Sequence, residues 1–361
     1  MTRRRPPTPL GTDRLSDPGD HWPRRVVVTG AGGHLGGWIV SILASGGVNV
    51  TATAGPGEDP QRLAAEFIAS GVQPARLRVV ACDLLDKPCW TEIMAGQDAL
   101  IHVAAPMPHV LTEDAAPLVA CAREGSRRVV EAAAAAGIRR MVMTSSIMAA
   151  LYSADRPDAR VVTEADWSTP GRAPMTVYAE AKTVAERTVW EVAAARGLAT
   201  TVINPGIIFG PGLTSSISPS LNIFREILLG RAIVAPRILL PLVDVRDVAW
   251  LHVAALLSDA AVGERIFAVA DQLWLADLIA CIRASGFEQL PVPRPIDDER
   301  ARRLADSFSI LSYLRFDIGE ERWIGRGKAE ALLKLRWRPV EETIVETARS
   351  LSGRADARHA A

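Results

Sequence analysis

Tyr178 and Lys182 stand four residues apart in TVYAEAKTVAERTVW, and on a helix that spacing sets both side chains on one face within reach of each other. A free phenol ionises near pH 10, too high for ready proton exchange at neutral pH. A neighbouring ammonium favours the phenolate and lowers that value. Such a tyrosine can protonate a carbonyl oxygen during reduction or deprotonate an alcohol during oxidation. The lysine has a second use, hydrogen-bonding the ribose of a nicotinamide cofactor so that hydride donor and proton donor are held in register. A third group is needed to hold the substrate oxygen, and TSS at positions 144–146 offers it: Ser146 is the choice, with Ser145 as a neighbour touching cofactor. Alone, a YxxxK pair is common on helices, so its meaning depends on what surrounds it.

Upstream, VVVTGAGGHLGGWIV carries Gly30, Gly33 and Gly36 at GxxGxxG spacing, directly after a β-branched run and at the opening of an apolar helical segment. In that setting the first glycine permits a tight turn, the second lets backbone approach a pyrophosphate, and the third lets helix pack on strand. His34 and Leu35 belong to the same loop, His34 as a backbone-positioned loop residue. Thr53 on the second strand, Asp83 and Leu84 closing the third, and Val103, Ala104, Ala105 and Pro106 closing the fourth fall where a dinucleotide reaches across the carboxyl edge of a parallel sheet.

The elements that must position these residues read as strand and helix in alternation. RVVVTG is strand one, followed by a helix over 33–45, a strand at VNVTATA, a helix over 61–69, a strand at RLRVVACD, a strand at DALIHVAA, a helix over 113–136, a strand at RRMVMTSS, a helix over 176–196 and a strand at ATTVINPG. The pattern predicts an α/β fold of the Rossmann type, a doubly wound parallel sheet with a smaller C-terminal substrate-binding lobe. Residues 1–23 read as a flexible tail, 24–210 as the dinucleotide-binding domain, 211–353 mainly as the substrate-binding lobe and 354–361 as a second tail. LLPLVDVRDVAWLHVAALL, at 239–257, reads as a strand and helix returning to the main sheet, so that 241–270 is counted with the dinucleotide-binding domain.

The chain has 361 residues, 41 Lys plus Arg against 41 Asp plus Glu, and 48% hydrophobic composition. Charge balance gives no general pull toward nucleic acid or anionic membrane. No uncharged apolar run reaches the length of a bilayer span, and no signal-peptide core follows the N-terminal arginines, so a cytoplasmic location is expected. Cys82, Cys89, Cys121 and Cys281 show no metal-ligand spacing; they read as reduced core residues, and no metal site is expected.

Together the glycine loop, CDLLD, IHVAAPM, TSSIMA, YAEAKTVAER, INPGIIFGP, VDVRDVAWLH and RWRPVEETIVETARSL resemble, in order, segments of the extended short-chain dehydrogenase/reductase superfamily. Within it the likeness is to the dihydroflavonol reductase, cinnamoyl-CoA reductase and bacterial aldehyde reductase group, over nearly the whole chain. The resemblance implies an NAD(P)-dependent carbonyl reductase or alcohol dehydrogenase with Ser146, Tyr178 and Lys182 as its triad. It also implies Asn204, Pro205, Gly206, Ile207 and Ile208 along the nicotinamide, NADP as cofactor with NAD as the alternative, and a homodimer. Asp244, Arg246 and Asp247 match a turn that buttresses the site, read here as a buried salt-bridged turn. One departure concerns the cofactor: where the group's second strand carries arginines near its start and at its end, this chain has Thr51 and Gly55, and no acidic residue replaces them at the strand end to grip a ribose 2'-hydroxyl, since Glu58 and Asp59 lie a few residues on.

Two other readings share some of these features. A nucleotide-sugar epimerase or dehydratase has the same fold and triad, but such enzymes carry a tyrosine shortly after the serine pair, where Ala149 and Ala150 stand here. A non-catalytic nucleotide-sensing regulator typically lacks the tyrosine or the lysine. The substrate pocket is expected from residues 107–111, 147–152, 174–177 and 207–216, a mostly apolar set suited to a hydrophobic or aromatic carbonyl, with His109 as a polar contact.

Overall fold

The computed structural model describes residues 22–106, 116–156, 158–305, 311–312 and 314–359, with side chains as far as residue 352. The N-terminal tail to residue 21, His109 and the 107–111 stretch of the expected pocket lie outside the described residues. Among those described, no helix is long and apolar enough to cross a membrane.

Val26, Val27 and Val28, all 0% exposed, make β1 (Arg25–Thr29) a strand buried on both faces. The chain continues through α1 (His34–Ser45), β2 (Asn49–Ala54), α2 (Pro60–Ala69), β3 (Leu77–Ala81), α3 (Lys87–Met94), β4 (Ala99–His102), α4 (Ala116–Ala135) and β5 (Arg140–Thr144). Next come α5 (Met148–Leu151), β6 (Val161–Val162), α6 (Val177–Arg196), β7 (Ala199–Pro205), β8 (Ile207–Phe209), α7 (Pro219–Leu228), β9 (Val234–Ala235), β10 (Leu239–Asp244) and α8 (Val245–Leu257). The remainder is β11 (Arg265–Ala268), β12 (Asp271–Trp274), α9 (Leu275–Ala284), β13 (Arg294–Pro295), α10 (Asp298–Leu304), β14 (Trp323–Ile324), α11 (Lys328–Leu333) and α12 (Val340–His359).

Seven strands form one parallel sheet in the order β11-β7-β5-β4-β1-β2-β3. Successive strands move outward from β1 in one direction to β3 and then restart on its other side at β4. That reversal opens a crevice at the carboxyl ends of β1 and β4, where open α/β sheets bind ligands. One face is covered by α1, α2 and α8, with Ile39, Leu43, Val248 and Leu251 in its core; the other is covered by α3, α4 and α6, with Trp90, Val129, Val130 and Val189. A third cluster, including Phe209, Phe224, Leu240, Leu278 and Ile344, holds the C-terminal lobe together.

Two differences from the sequence reading have plain causes. The helix α3 was not anticipated; it is a short segment whose start is set by Asp86, which accepts from Cys89 N at 3.1 Å, and by Pro88 in its first turn. The expected return of LLPLVD to the main sheet does not occur. β10 instead pairs with β8 in parallel and with β12 antiparallel in a separate three-stranded sheet, and β11 is the strand added to the main sheet beside β7. An apolar strand buried on both faces carries no mark of which sheet it joins.

Candidate active site

The turn after β1 is built by close approach. Gly30 has φ +65°, and a Cβ there would sit 2.8 Å from Ala104 N; a Cβ on Gly36 would sit 2.2 Å from Gly30 O. Backbone just beyond β4 and the backbone of the turn itself therefore occupy the space that the two side chains would need. From β2, Thr53 braces the loop twice, its carbonyl accepting from Ala31 N at 3.1 Å and its hydroxyl from Gly30 N at 3.2 Å. α1 then starts after Gly33 with no side chain capping it and no acidic residue in its first turn, which leaves the positive end of the helix dipole for an anion.

Thr29 pins the end of β4. Its hydroxyl oxygen accepts from Val103 N and Ala104 N, both at 3.0 Å, so its proton goes to His102 Nδ1 at 2.8 Å. His102 is thereby the Nε2-protonated tautomer, and burial followed by the charge of Lys182 lowers its pKa to about 3.

One cavity of about 1760 Å³ runs along this carboxyl edge. Gly30, Gly33, His34, Leu35, Gly36, Thr53, Asp83, Leu84, Val103, Ala104, Ala105, Pro106, Ser145, Ser146, Tyr178, Lys182, Pro205, Gly206, Ile207 and Ile208 all line it. His34 Nε2 meets Gly210 O at 3.2 Å. Asp83 accepts from Leu85 N at 2.7 Å, which closes the turn after β3. Asn204 is the exception among the expected nicotinamide contacts: it is fully buried, and its Nδ2 donates to Ser146 O at 3.0 Å and to Glu186 Oε2 at 2.8 Å. Thr51 likewise sits inside β2, its hydroxyl accepting from Gln97 Nε2 at 3.3 Å, away from the cavity edge.

Tyr178, Lys182 and Glu186 follow one another at four-residue steps along α6, whose first turn is capped by Thr176 accepting from Ala179 N at 3.2 Å. Lys182 is 5% exposed and donates to Thr144 O at 3.0 Å. Burial lowers its pKa to about 8, with the charge of Glu186 working in the opposite direction. Ser146 Oγ accepts from Met148 N at 3.2 Å. Ser145 is held inward, its hydroxyl donating to Glu186 Oε2 at 2.6 Å.

Glu186 was not singled out from sequence. It is 0% exposed and also accepts from Arg265 Nε on β11 at 2.5 Å, while the Arg265 guanidinium lies 3.8 Å from the centre of the Trp167 ring. Its position two turns after Tyr178 on the same helix face was the available signal.

The opposite wall is shared between α5, the approach to α6 and the C-terminal lobe. Met148, Leu151, Met175, Val177, Ile223, Leu240 and Phe316 supply apolar surface, while Arg225, Arg315, Asp317 and Arg322 add charge. The segments 217–225 and 312–324 were not foreseen as lining; their apolar residues carry no chemical motif. Tyr152 lies behind the wall, its hydroxyl donating to Asp317 Oδ2 at 3.0 Å. Asp317 has its pKa raised to about 6, first by burial.

The turn at 244–247 is a buried ionic knot, as the sequence suggested. Asp244 accepts from Arg246 N and Nε at 2.8 Å and Nη2 at 2.6 Å, and from Thr343 Oγ1 on α12 at 3.0 Å. Asp247 Oδ2 accepts from Arg338 N at 2.7 Å; burial and then the charge of Asp244 raise its pKa to about 7.

Of the four cysteines expected as reduced core residues, Cys82 and Cys89 are brought side by side, with Cα atoms 6.1 Å apart, where α3 folds back on the end of β3, and Cys121 and Cys281 are half-buried thiols.

Comparison with known proteins gives the following likenesses. The profile of the NAD dependent epimerase/dehydratase family matches residues 26–270. Cinnamoyl-CoA reductase 2 of Arabidopsis thaliana is 31% identical over 328 residues, covering 90% of this chain and 92% of that protein. Cinnamoyl-CoA reductase 1 of the same plant is 33% identical over 300 residues, covering 82% of this chain and 85% of that protein. Among solved structures, yeast methylglyoxal/isovaleraldehyde reductase Gre2 complexed with NADPH superposes with a TM-score of 0.73 at 21% identity, covering 90% of this chain and 97% of that one.

Proposed function

This chain belongs to the NAD dependent epimerase/dehydratase family, and on that premise we propose that it is an NAD(P)-dependent carbonyl reductase, acting on an aldehyde or ketone with a hydrophobic or aromatic body. One observation carries the reading: a single cavity is lined at once by the glycine loop, by Ser146, Tyr178 and Lys182, and by an apolar wall. The reductase relatives, similar over most of their length, support it.

The residues present fit a nicotinamide dinucleotide. Glycines at 30, 33 and 36 keep backbone close where a pyrophosphate would lie, the uncapped start of α1 suits its charge, and Asp83 and Leu84 border the adenine end. When bound, the reduced nicotinamide supplies a hydride to the carbonyl carbon. Ser146 then holds the carbonyl oxygen, and Tyr178 gives it the phenolic proton as negative charge develops there. Lys182 keeps its ammonium near the phenol and near the ribose, and Glu186 holds Ser145 and Asn204 so that the end of β5 stays fixed.

A spectrophotometric screen of aldehydes and ketones, run in parallel with NADPH and NADH, tests the reading. Turnover of at least one hydrophobic or aromatic carbonyl is expected. Tyr178→Phe is expected to lower kcat by 10²-fold or more, on the scale of general acid catalysis, while the dinucleotide Kd changes less than about twofold. A Tyr178→Phe enzyme that keeps its rate would overturn the assignment.

A further inference from the structure

The segment after β2 does something its order along the chain conceals. Gly55, Pro56, Gly57 and Glu58 form a β-turn, with Glu58 N bonded to Gly55 O at 3.1 Å, proline at the second position and Gly57 at φ +81° in the third. That is the type II pattern. Asp59 then caps α2 by accepting from Gln61 N at 2.9 Å. The turn brings Glu58 back beside the strand end that it has just left. Its Oε2 accepts from Gly55 N at 2.7 Å, and its Oε1 lies where a Cβ on Gly32 would come within 2.2 Å. The carboxylate thus sits against the glycine loop and lines the main cavity together with Gly55 and Pro56.

Its surroundings carry the same sign. A smaller adjoining cavity is lined by Glu58, Asp59, Arg62 and Glu66, among others. Arg62 is the one cation that β2, the turn and α2 contribute to the described linings of these two cavities, and its Nε is 3.7 Å from Glu66 Oε1.

We infer that Glu58 sets the cofactor choice of this enzyme, accepting from the free hydroxyls of the adenosine ribose and repelling a 2'-phosphate, so that NAD(H) is preferred to NADP(H). The inference rests on the proposal that the cavity holds a nicotinamide dinucleotide. A carboxylate at the end of the second strand is a ribose acceptor in dinucleotide folds; here a type II turn delivers it from four residues farther on. A phosphate near this group would face like charge in a partly desolvated site, where such repulsion costs most. The inference runs against NADP, the cofactor that the family resemblance implies and that Gre2 holds in its solved complex.

The test is a calorimetric titration of NAD⁺, NADP⁺, NADH and NADPH into the full chain and into Glu58→Gln, without substrate. The wild type is expected to bind NADH at least about tenfold tighter than NADPH. The amide variant, which keeps an acceptor oxygen but not the charge, should shrink that ratio about fivefold or more by gaining NADPH affinity. The wild-type discrimination should also weaken between 50 and 500 mM salt as the repulsion is screened. Equal or tighter binding of NADPH by the wild type overturns the inference and leaves the reductase reading intact. A preference for NADH that Glu58→Gln leaves unchanged removes Glu58 from the role. Failure of all four dinucleotides to bind overturns the cavity assignment and this inference with it.

Discussion

Lys182 is an ammonium enclosed by protein, donating to the Thr144 carbonyl, with Glu186 one helical turn away. Its folded pKa of about 8 lies below the ordinary lysine value, with burial as the main cause. On the proposed mechanism the charged form is the useful one, so kcat/KM for the free enzyme should fall as pH rises through about 8. Lys182→Arg, whose guanidinium stays protonated, should push that alkaline limb upward even if its rate is lower. A pH–rate profile from pH 6 to 10 measures both; an unchanged limb in the arginine variant would assign it to another group. His102, deprotonated throughout this range, does not compete.

At the scale of elements, the turn after β1 works because two pieces of backbone use the same space. Gly36→Ala would drive a Cβ into Gly30 O, and the strain of forcing methylenes into filled space is about 1–3 kcal/mol. Thermal unfolding should therefore move down by several degrees, and dinucleotide affinity should fall on the order of tenfold; a variant with wild-type Tm and Kd would show that the loop has slack. This loop, the serine pair and the Tyr178–Lys182 face were legible from sequence because each depends on local spacing along one element. Glu58, Glu186 and the approach of Cys82 to Cys89 were less so. A type II turn, a contact from α6 to β11 and the fold-back of α3 create them, and none of these is a periodicity. The same holds for β10, whose apolar residues suit either sheet and whose partners are chosen by tertiary packing.

For the molecule as a whole, the knot at 244–247 couples stability to pH. Asp247 titrates at about 7 when folded and near 4 when unfolded. A raised acid pKa contributes stability that is full below about 4 and is lost as pH rises through about 7, since the unfolded chain releases the proton first. Urea midpoints should therefore fall between pH 5.5 and pH 8 in the wild type, and the slope should flatten in Asp247→Asn; parallel slopes would exclude Asp247 as the source. The same knot reaches across the chain: Thr343 donates to Asp244, and Thr347 Oγ1 accepts from Gly210 N at 2.8 Å. Helix α12 comes later in the chain than everything it braces. During synthesis, where N-terminal parts fold first, the nucleotide half can assemble once α8 and β11 have emerged to cover and complete its sheet, whereas the substrate wall must wait for α12. A nascent chain would thus acquire the ability to hold a dinucleotide well before it could close around a carbonyl, and a ribosome stalled between the two points would carry a binding protein that is not yet an enzyme.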